Sequence, residues 1–527
     1  MQSRWVCLII VLCLAVGCST PAASPAPPAT ATPEPLAQTL AAFEVELEAV
    51  RQELKIPGMS AAVVKDGQLV WARGFGYADV ENQVPATPDT PYHLASVTKI
   101  FAAVIIMQLV QEGKLSLDDP VSRYGVNLPE GDKVLVRHLM SHTSAGTPGT
   151  RYQYDGSRYG QLSQVVQAAT GRSLQEWVYE RILQPLGMEN TAPSPPAACA
   201  GLSFAPTCER VYAALTRLYC LDVDFNPAPG HNEDYFNAGA GLMSTVVDLS
   251  KFDAALDANS LVTAASKELM WTPTVSNSGQ KLPYGLGWFT QSYRGTRLIW
   301  HSGFSPPSTS ALFLKLPDEG LTLIVLANTD LLSRSYQAGH GDANDVLSSL
   351  VAVTFYKRFV LAPQYDQALP AIDWSRPSST VLTAISYVQD EAVKDLLNKE
   401  FQARRALASS LADVKVLVER IVTMRATAEK LAKSLEPQML DLYAGTYEFA
   451  DTGGVTANVT RVDNRLYLHT EALGGLSTEL LPLSTTRFFV PAGYDFYQLD
   501  FMPGAASGQE YRLVFTLWGE SFTGRRK

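Results

Sequence analysis

From Val97 to Val110 nearly every side chain is apolar, and Gly113 closes the run. A helix that is apolar on all sides must be buried, so this segment demands a fold wrapped around it. Ser96 and Lys99 stand at its start, within Leu94-Ala95-Ser96-Val97-Thr98-Lys99-Ile100. Residues three apart share a helix face, whereas on a strand they would point to opposite sides. The helical reading sets the Ser96 hydroxyl beside the Lys99 amine, at the partly positive end of a buried helix. A lysine withheld from water loses its proton more readily and can then accept the proton of a serine. A plain helix-start serine with a surface lysine fits poorly with an all-apolar helix.

The 527 residues exceed one ordinary core, so more than one domain is expected. With 46% hydrophobic and 18% charged residues the chain is globular. A net charge of −10 and the lack of a long basic patch argue against a nucleic-acid partner. Arg4 precedes an apolar run from Trp5 to Val16, too short for a comfortable membrane span and read as a signal peptide over 1–17. Gly17-Cys18 resembles a bacterial lipobox, making Cys18 the expected lipidation site and the bacterial cell envelope the expected location; an ordinary secretory signal cut near the same place, giving a secreted protein, is the alternative. A tether rich in Pro, Ala and Thr follows over 18–36. Beyond Cys18 three cysteines remain: Cys199, Cys208 and Cys220. An odd number cannot all pair. Cys199–Cys208 closes a short loop, and either could instead pair with Cys220.

Ala37–Leu54 is helical by periodicity; Met59–Lys65 and Gln68–Tyr77 read as strands joined at Asp66-Gly67. Tyr159–Leu186, with a break at Gly171, Asp248–Leu256 and Asp342–Phe359 read as helices. Arg297–Trp300, Ser308–Leu316 and Leu321–Ala327 read as strands. Strands at both ends with helices between them imply one antiparallel sheet with a helical subdomain inserted, an α/β fold of the α+β type, over 37–362. A helical connector, 363–439, carries a charge-rich helix from Gln389 to Lys433 read as a solvated face. Short aromatic-rich strands over 440–527 indicate a small all-β domain, sandwich or barrel.

An activated serine needs a proton shuttle and oxyanion donors. Tyr154-Asp155-Gly156 precedes a helix, and His301-Ser302-Gly303 ends a strand, its glycine allowing close backbone approach. These elements, in order after Ser-x-x-Lys, resemble the serine β-lactamase and penicillin-binding protein superfamily, on the branch of class C β-lactamases, D,D-peptidases and esterases. Framing segments are similar too: Ile56-Pro57-Gly58, Gly113–Pro120, Arg137–Ser144, Gly239–Leu242 and Tyr284–Trp288. The resemblance covers about Ala37 to Val360. It implies a β-lactamase/transpeptidase-like fold with Ser96 acylated, Lys99 deprotonating it and Tyr154 shuttling the leaving-group proton. The backbone N–H groups of Ser96 and Phe304 would form the oxyanion hole, and His301 would line the strand edge along which an amide or ester substrate lies.

Two departures stand out. Gly156 replaces the Asn or Ser of the second motif, removing a side-chain hydrogen bond. His301 replaces the lysine of Lys-Thr-Gly, weakening the charge that would hold a substrate carboxylate. Both point from efficient β-lactam turnover toward D,D-peptidase, D-amino-acid peptidase or esterase chemistry on a small-molecule or peptide substrate, with cell-wall fragments among the candidates. A true β-lactamase and a non-catalytic receptor for penicillin or cell-wall fragments are the rival readings. His138 and His142, spaced i, i+4, lack the glutamate of a zinc-protease motif and read as structural. No cofactor or metal is expected.

Overall fold

The computed structural model describes residues 34–231, 235–362, 370–449, 455–470, 477–492, 495–503, 511–517 and 520–527. Cys18, the apolar leader and nearly all of the tether lie outside them. The centre is a seven-stranded antiparallel sheet built from both ends of the first module. Its strands are β1 (Gly58–Lys65), β2 (Gln68–Asp79), β3 (Val84–Pro85), β4 (Phe289–Tyr293), β5 (Thr296–Ser305), β6 (Thr309–Leu316) and β7 (Leu321–Ala327). They lie in the order β3-β2-β1-β7-β6-β5-β4. β1 meets β7 in the middle, with Ala61 opposite Val325. Both strands are buried along almost their whole length, as expected where helices cover both faces.

Side-chain alternation divides this sheet between two cores. Ala62, Val64, Phe313, Ile324 and Leu326 pack with the apolar helix, Thr98–Gln111. Ala61, Val63, Leu312, Leu323 and Val325 pack with Phe43 of the first helix, Glu34–Glu53, and with Leu350 and Phe355. Thr98–Gln111 is buried all round as its composition demands, and Phe101 stacks on Phe252 at 4.2 Å.

Several elements differ from the sequence reading. β4 carries Thr-Gln-Ser between its buried ends, Phe289 and Tyr293, so its apolar signal is weak. β5 continues beyond Trp300 to Ser305, placing His301-Ser302-Gly303 inside a strand rather than at its end. The helix expected from Asp342 resolves into a short turn, Val346–Ser348, and a helix, Leu350–Tyr356. Asp345 is withdrawn from helix: its carboxylate accepts from Leu347 N–H, Gln291 and Lys399.

The charge-rich helix runs from Glu391 to Ala432 and is more than a solvated face. Val393, Leu396, Leu397, Phe401, Leu407 and Val414 recur at helical spacing and join the core beneath the sheet. Lys399–Asp345 and Arg404–Glu53 ion pairs flank that stripe. A helix this long spans about 63 Å at 1.5 Å per residue, and it reaches the C-terminal β domain at Ser477–Pro482.

That domain is a closed eight-stranded barrel. Its last strand, Glu520–Arg526, pairs with its first, Gly445–Phe449, and closure leaves no free edge. The last strand's Glu-Ser-Phe-Thr-Gly-Arg-Arg has one apolar residue and gives no alternation to read. Tyr443, Tyr447, Phe488 and Phe501 fill the barrel core. Elsewhere Cys199 is bonded to Cys208, leaving Cys220 free.

Candidate active site

Ser96 lies in a 3₁₀ turn, Ala95–Val97, immediately before the apolar helix. Lys99 follows three residues on, in the first turn of that helix, and its Nζ lies 2.9 Å from Ser96 Oγ. Ala95 is held at φ +45°, a left-handed conformation that non-glycine residues rarely adopt. The turn thus exposes Ser96 between buried Ala95 and Val97.

Lys99 is only 1% exposed. Its Nζ also donates to the Gly239 carbonyl at 2.9 Å. Burial lowers its pKa to about 7, against an opposing attraction from Asp155. Near neutrality much of it is therefore an uncharged amine. One N–H is committed to Gly239, and the lone pair is available to the Ser96 proton.

Tyr154 is 41% exposed, and Lys99 Nζ, the neighbour of Ser96 Oγ, sits over its ring at 5.0 Å from the centroid. Desolvation first, with Tyr235 and Asp155 nearby, raises its pKa well above the ordinary phenol range. Asp155 caps the following helix, Gly156–Gly160, by accepting from Arg158 N–H. A Cβ at Gly156 would lie 3.9 Å from Lys99 Nζ. The missing second-motif side chain therefore leaves open space beside the lysine.

β4 covers β5 only as far as Trp300, opposite Phe289. His301–Ser305 therefore has no β4 partner along that side, and this is where an extended substrate can pair. Gly303 permits the strand to approach the nucleophile turn: a Cβ there would lie 2.3 Å from the Leu94 carbonyl oxygen. Both groups are fixed backbone positions, so Gly303→Ala is expected to spread the turn from β5. Activity toward an aryl ester should fall about 100-fold, measured as kcat/KM, with Tm lowered in the same preparation. Phe304, half-buried, follows on the same strand.

His301 is 1% exposed and both its nitrogens are engaged. Nδ1–H donates to the Ser302 carbonyl at 2.7 Å, so Nε2 accepts from the Tyr284 hydroxyl at 2.8 Å. Burial, reinforced by Lys99, lowers its pKa to about 3. It is neutral and locked beneath the edge, without a free nitrogen to offer a substrate. The Ser302 hydroxyl accepts from Gln337 at 3.0 Å on the opposite face of the strand.

Sequence reasoning did not assign roles to the Gly239 carbonyl, Tyr284 or His142, all of which adjoin these groups. His138 and His142 do not act as a pair: His138 Nδ1 accepts from Leu135 N–H at a helix start, while the His142 ring lies 4.2 Å from that of Tyr154. Among the described residues no group of three or more His, Cys, Asp or Glu is placed to hold a metal ion.

Residues 46–343 match the family model described as Beta-lactamase. A penicillin-binding protein of Bacillus subtilis (strain 168) is 24% identical over 471 residues, covering 81% of this chain and 86% of that protein. A D-aminopeptidase of Brucella anthropi is 28% identical over 305 residues, covering 50% of this chain and 55% of its own length. Among solved structures, the octameric penicillin-binding protein homologue from Pyrococcus abyssi shares the fold, with TM-score 0.51 and 21% identity. The match covers 92% of this chain and all of that one. The chain belongs to the beta-lactamase family of serine hydrolases.

Proposed function

We propose that this is an exported, lipid-anchored serine hydrolase that cleaves amide or ester bonds through an acyl-enzyme, with D,D-peptidase, D-amino-acid peptidase or esterase specificity. The observation that carries the reading is the buried Lys99 Nζ, 2.9 Å from Ser96 Oγ and 5.0 Å from the Tyr154 ring centroid. Neutral Lys99 takes the serine proton as Oγ attacks the substrate carbonyl. The N–H groups of Ser96 and Phe304 receive the developing oxyanion. Tyr154 passes a proton to the leaving group, and water then attacks the acyl-enzyme with the same groups acting in reverse.

Neutral His301 supplies no fixed positive charge beside β5, and Gly156 supplies no amide. Both favour substrates that need neither a carboxylate clamp nor a second-motif side chain. The similarity to a protein named D-aminopeptidase supports the amide branch. A panel of p-nitrophenyl esters, a D-Ala-D-Ala peptide and nitrocefin on one preparation tests this preference. Turnover of the esters or the peptide should exceed that of nitrocefin; fast nitrocefin hydrolysis would favour a true β-lactamase. For the anchor, Cys18→Ser should move the protein from the membrane to the soluble fraction, and unchanged membrane association would count against lipidation.

A further inference from the structure

His142 takes no part in the steps above, yet it is held at a cost. It is 2% exposed, its backbone sits at φ +53°, and its Nε2 is buried without a hydrogen-bond partner. A strained backbone and an unsatisfied polar group at one residue ask for an explanation beyond packing. Its contacts supply one. The His142 carbonyl accepts from Gln153 N–H at 2.8 Å. Its Nδ1 accepts from Asp155 N–H at 3.1 Å, which leaves the ring proton on Nε2. Between those two anchors the imidazole lies against Tyr154, with ring centroids 4.2 Å apart and planes tilted by 30°.

We propose that His142 is the positioning residue of the proton shuttle, gripping the chain on both sides of Tyr154 and backing its ring so that the hydroxyl reaches Ser96. The other faces of the imidazole meet Tyr159 at 5.2 Å, Tyr284 edge-on at 4.9 Å and Tyr152 edge-on at 6.2 Å. Burial, then Lys99 and His301, holds its pKa well below the imidazole range. A neutral ring here supports Tyr154 without adding a second positive charge beside Lys99.

This inference rests on Tyr154 being the shuttle, and leaving groups separate it from simple packing. An aryl ester expels a stabilised phenolate and needs little protonation, whereas an alkyl ester needs the proton. His142→Gly tolerates the positive φ and removes the ring. It is expected to lower kcat/KM about 30-fold on an alkyl butyrate and about three-fold on p-nitrophenyl butyrate. His142→Asn also tolerates that backbone and can restore an acceptor for Asp155 N–H, so it should recover part of the alkyl-ester loss. In a Tyr154→Phe background, His142→Gly should add less than about two-fold.

Equal losses on both esters, no loss on either, or full additivity with Tyr154→Phe would overturn the proposal. Labelling of Ser96 by a fluorophosphonate reports whether each variant has assembled its site. If the glycine variant does not fold, the asparagine variant carries the same comparison. The shuttle reading fails separately, if Tyr154→Phe itself shows no leaving-group dependence.

Discussion

Ser96→Ala is expected to lower kcat/KM by at least about 1,000-fold on any ester or amide the protein hydrolyses, and to abolish covalent labelling. Without Oγ no acyl-enzyme can form. Lys99, Tyr154 and the β5 edge remain, but act on a group that is absent. The loss should not be a folding defect: Ser96 is partly exposed, and its hydroxyl is not part of either core. Circular dichroism and Tm close to the parent would separate lost chemistry from lost structure. Retained hydrolysis with retained labelling elsewhere would move the nucleophile away from this turn.

Lys99→Met should produce a loss of similar size, about 100- to 10,000-fold on the plateau, and should also change the pH profile. Because the Lys99 pKa is lowered to about 7, chiefly by burial, its neutral fraction grows as pH rises through that value. Parent kcat/KM should therefore climb with an apparent pKa near 7. His301, lowered to about 3, and His142, held neutral, contribute no second limb there. Methionine keeps the length and apolar stem of lysine, so the buried site stays filled while the limb disappears.

Stability should follow the same group. Between about pH 7 and 10 the unfolded chain keeps the Lys99 proton that the folded protein has shed. The unfolded state then binds more protons, so the Lys99 contribution to stability rises with pH across that window. Denaturant midpoints of parent and Lys99→Met, compared from pH 6 to 10, should diverge with that sign.

The chemistry was legible where neighbours in sequence are neighbours in space. Ser96 and Lys99 share one turn and helix start, and the apolar helix announced its own burial. Contributions from distant segments were not legible. The Gly239 carbonyl reaches Lys99 from 140 residues away; a backbone oxygen has no residue type to recognise. Tyr284 reaches His301 because β4 begins only at Phe289, opposite Trp300, and the loop preceding it lies over β5. His142 reads as structural because the i, i+4 pair it forms with His138 lacks a metalloprotease glutamate, while its partners in the fold are Gln153, Tyr154 and Asp155. The helix Glu391–Ala432 shows a different failure. Its charges dominated the reading and hid an apolar stripe that joins the core beneath the sheet.

The most direct test of Ser96 activation by Lys99 is the pH dependence of covalent labelling by a fluorophosphonate, with the adduct located by peptide mass spectrometry. One adduct on Ser96 is predicted, forming at a rate that rises through about pH 7, with that rise absent in Lys99→Met. An adduct on another residue, no adduct, or a rate independent of pH through that range would contradict the account.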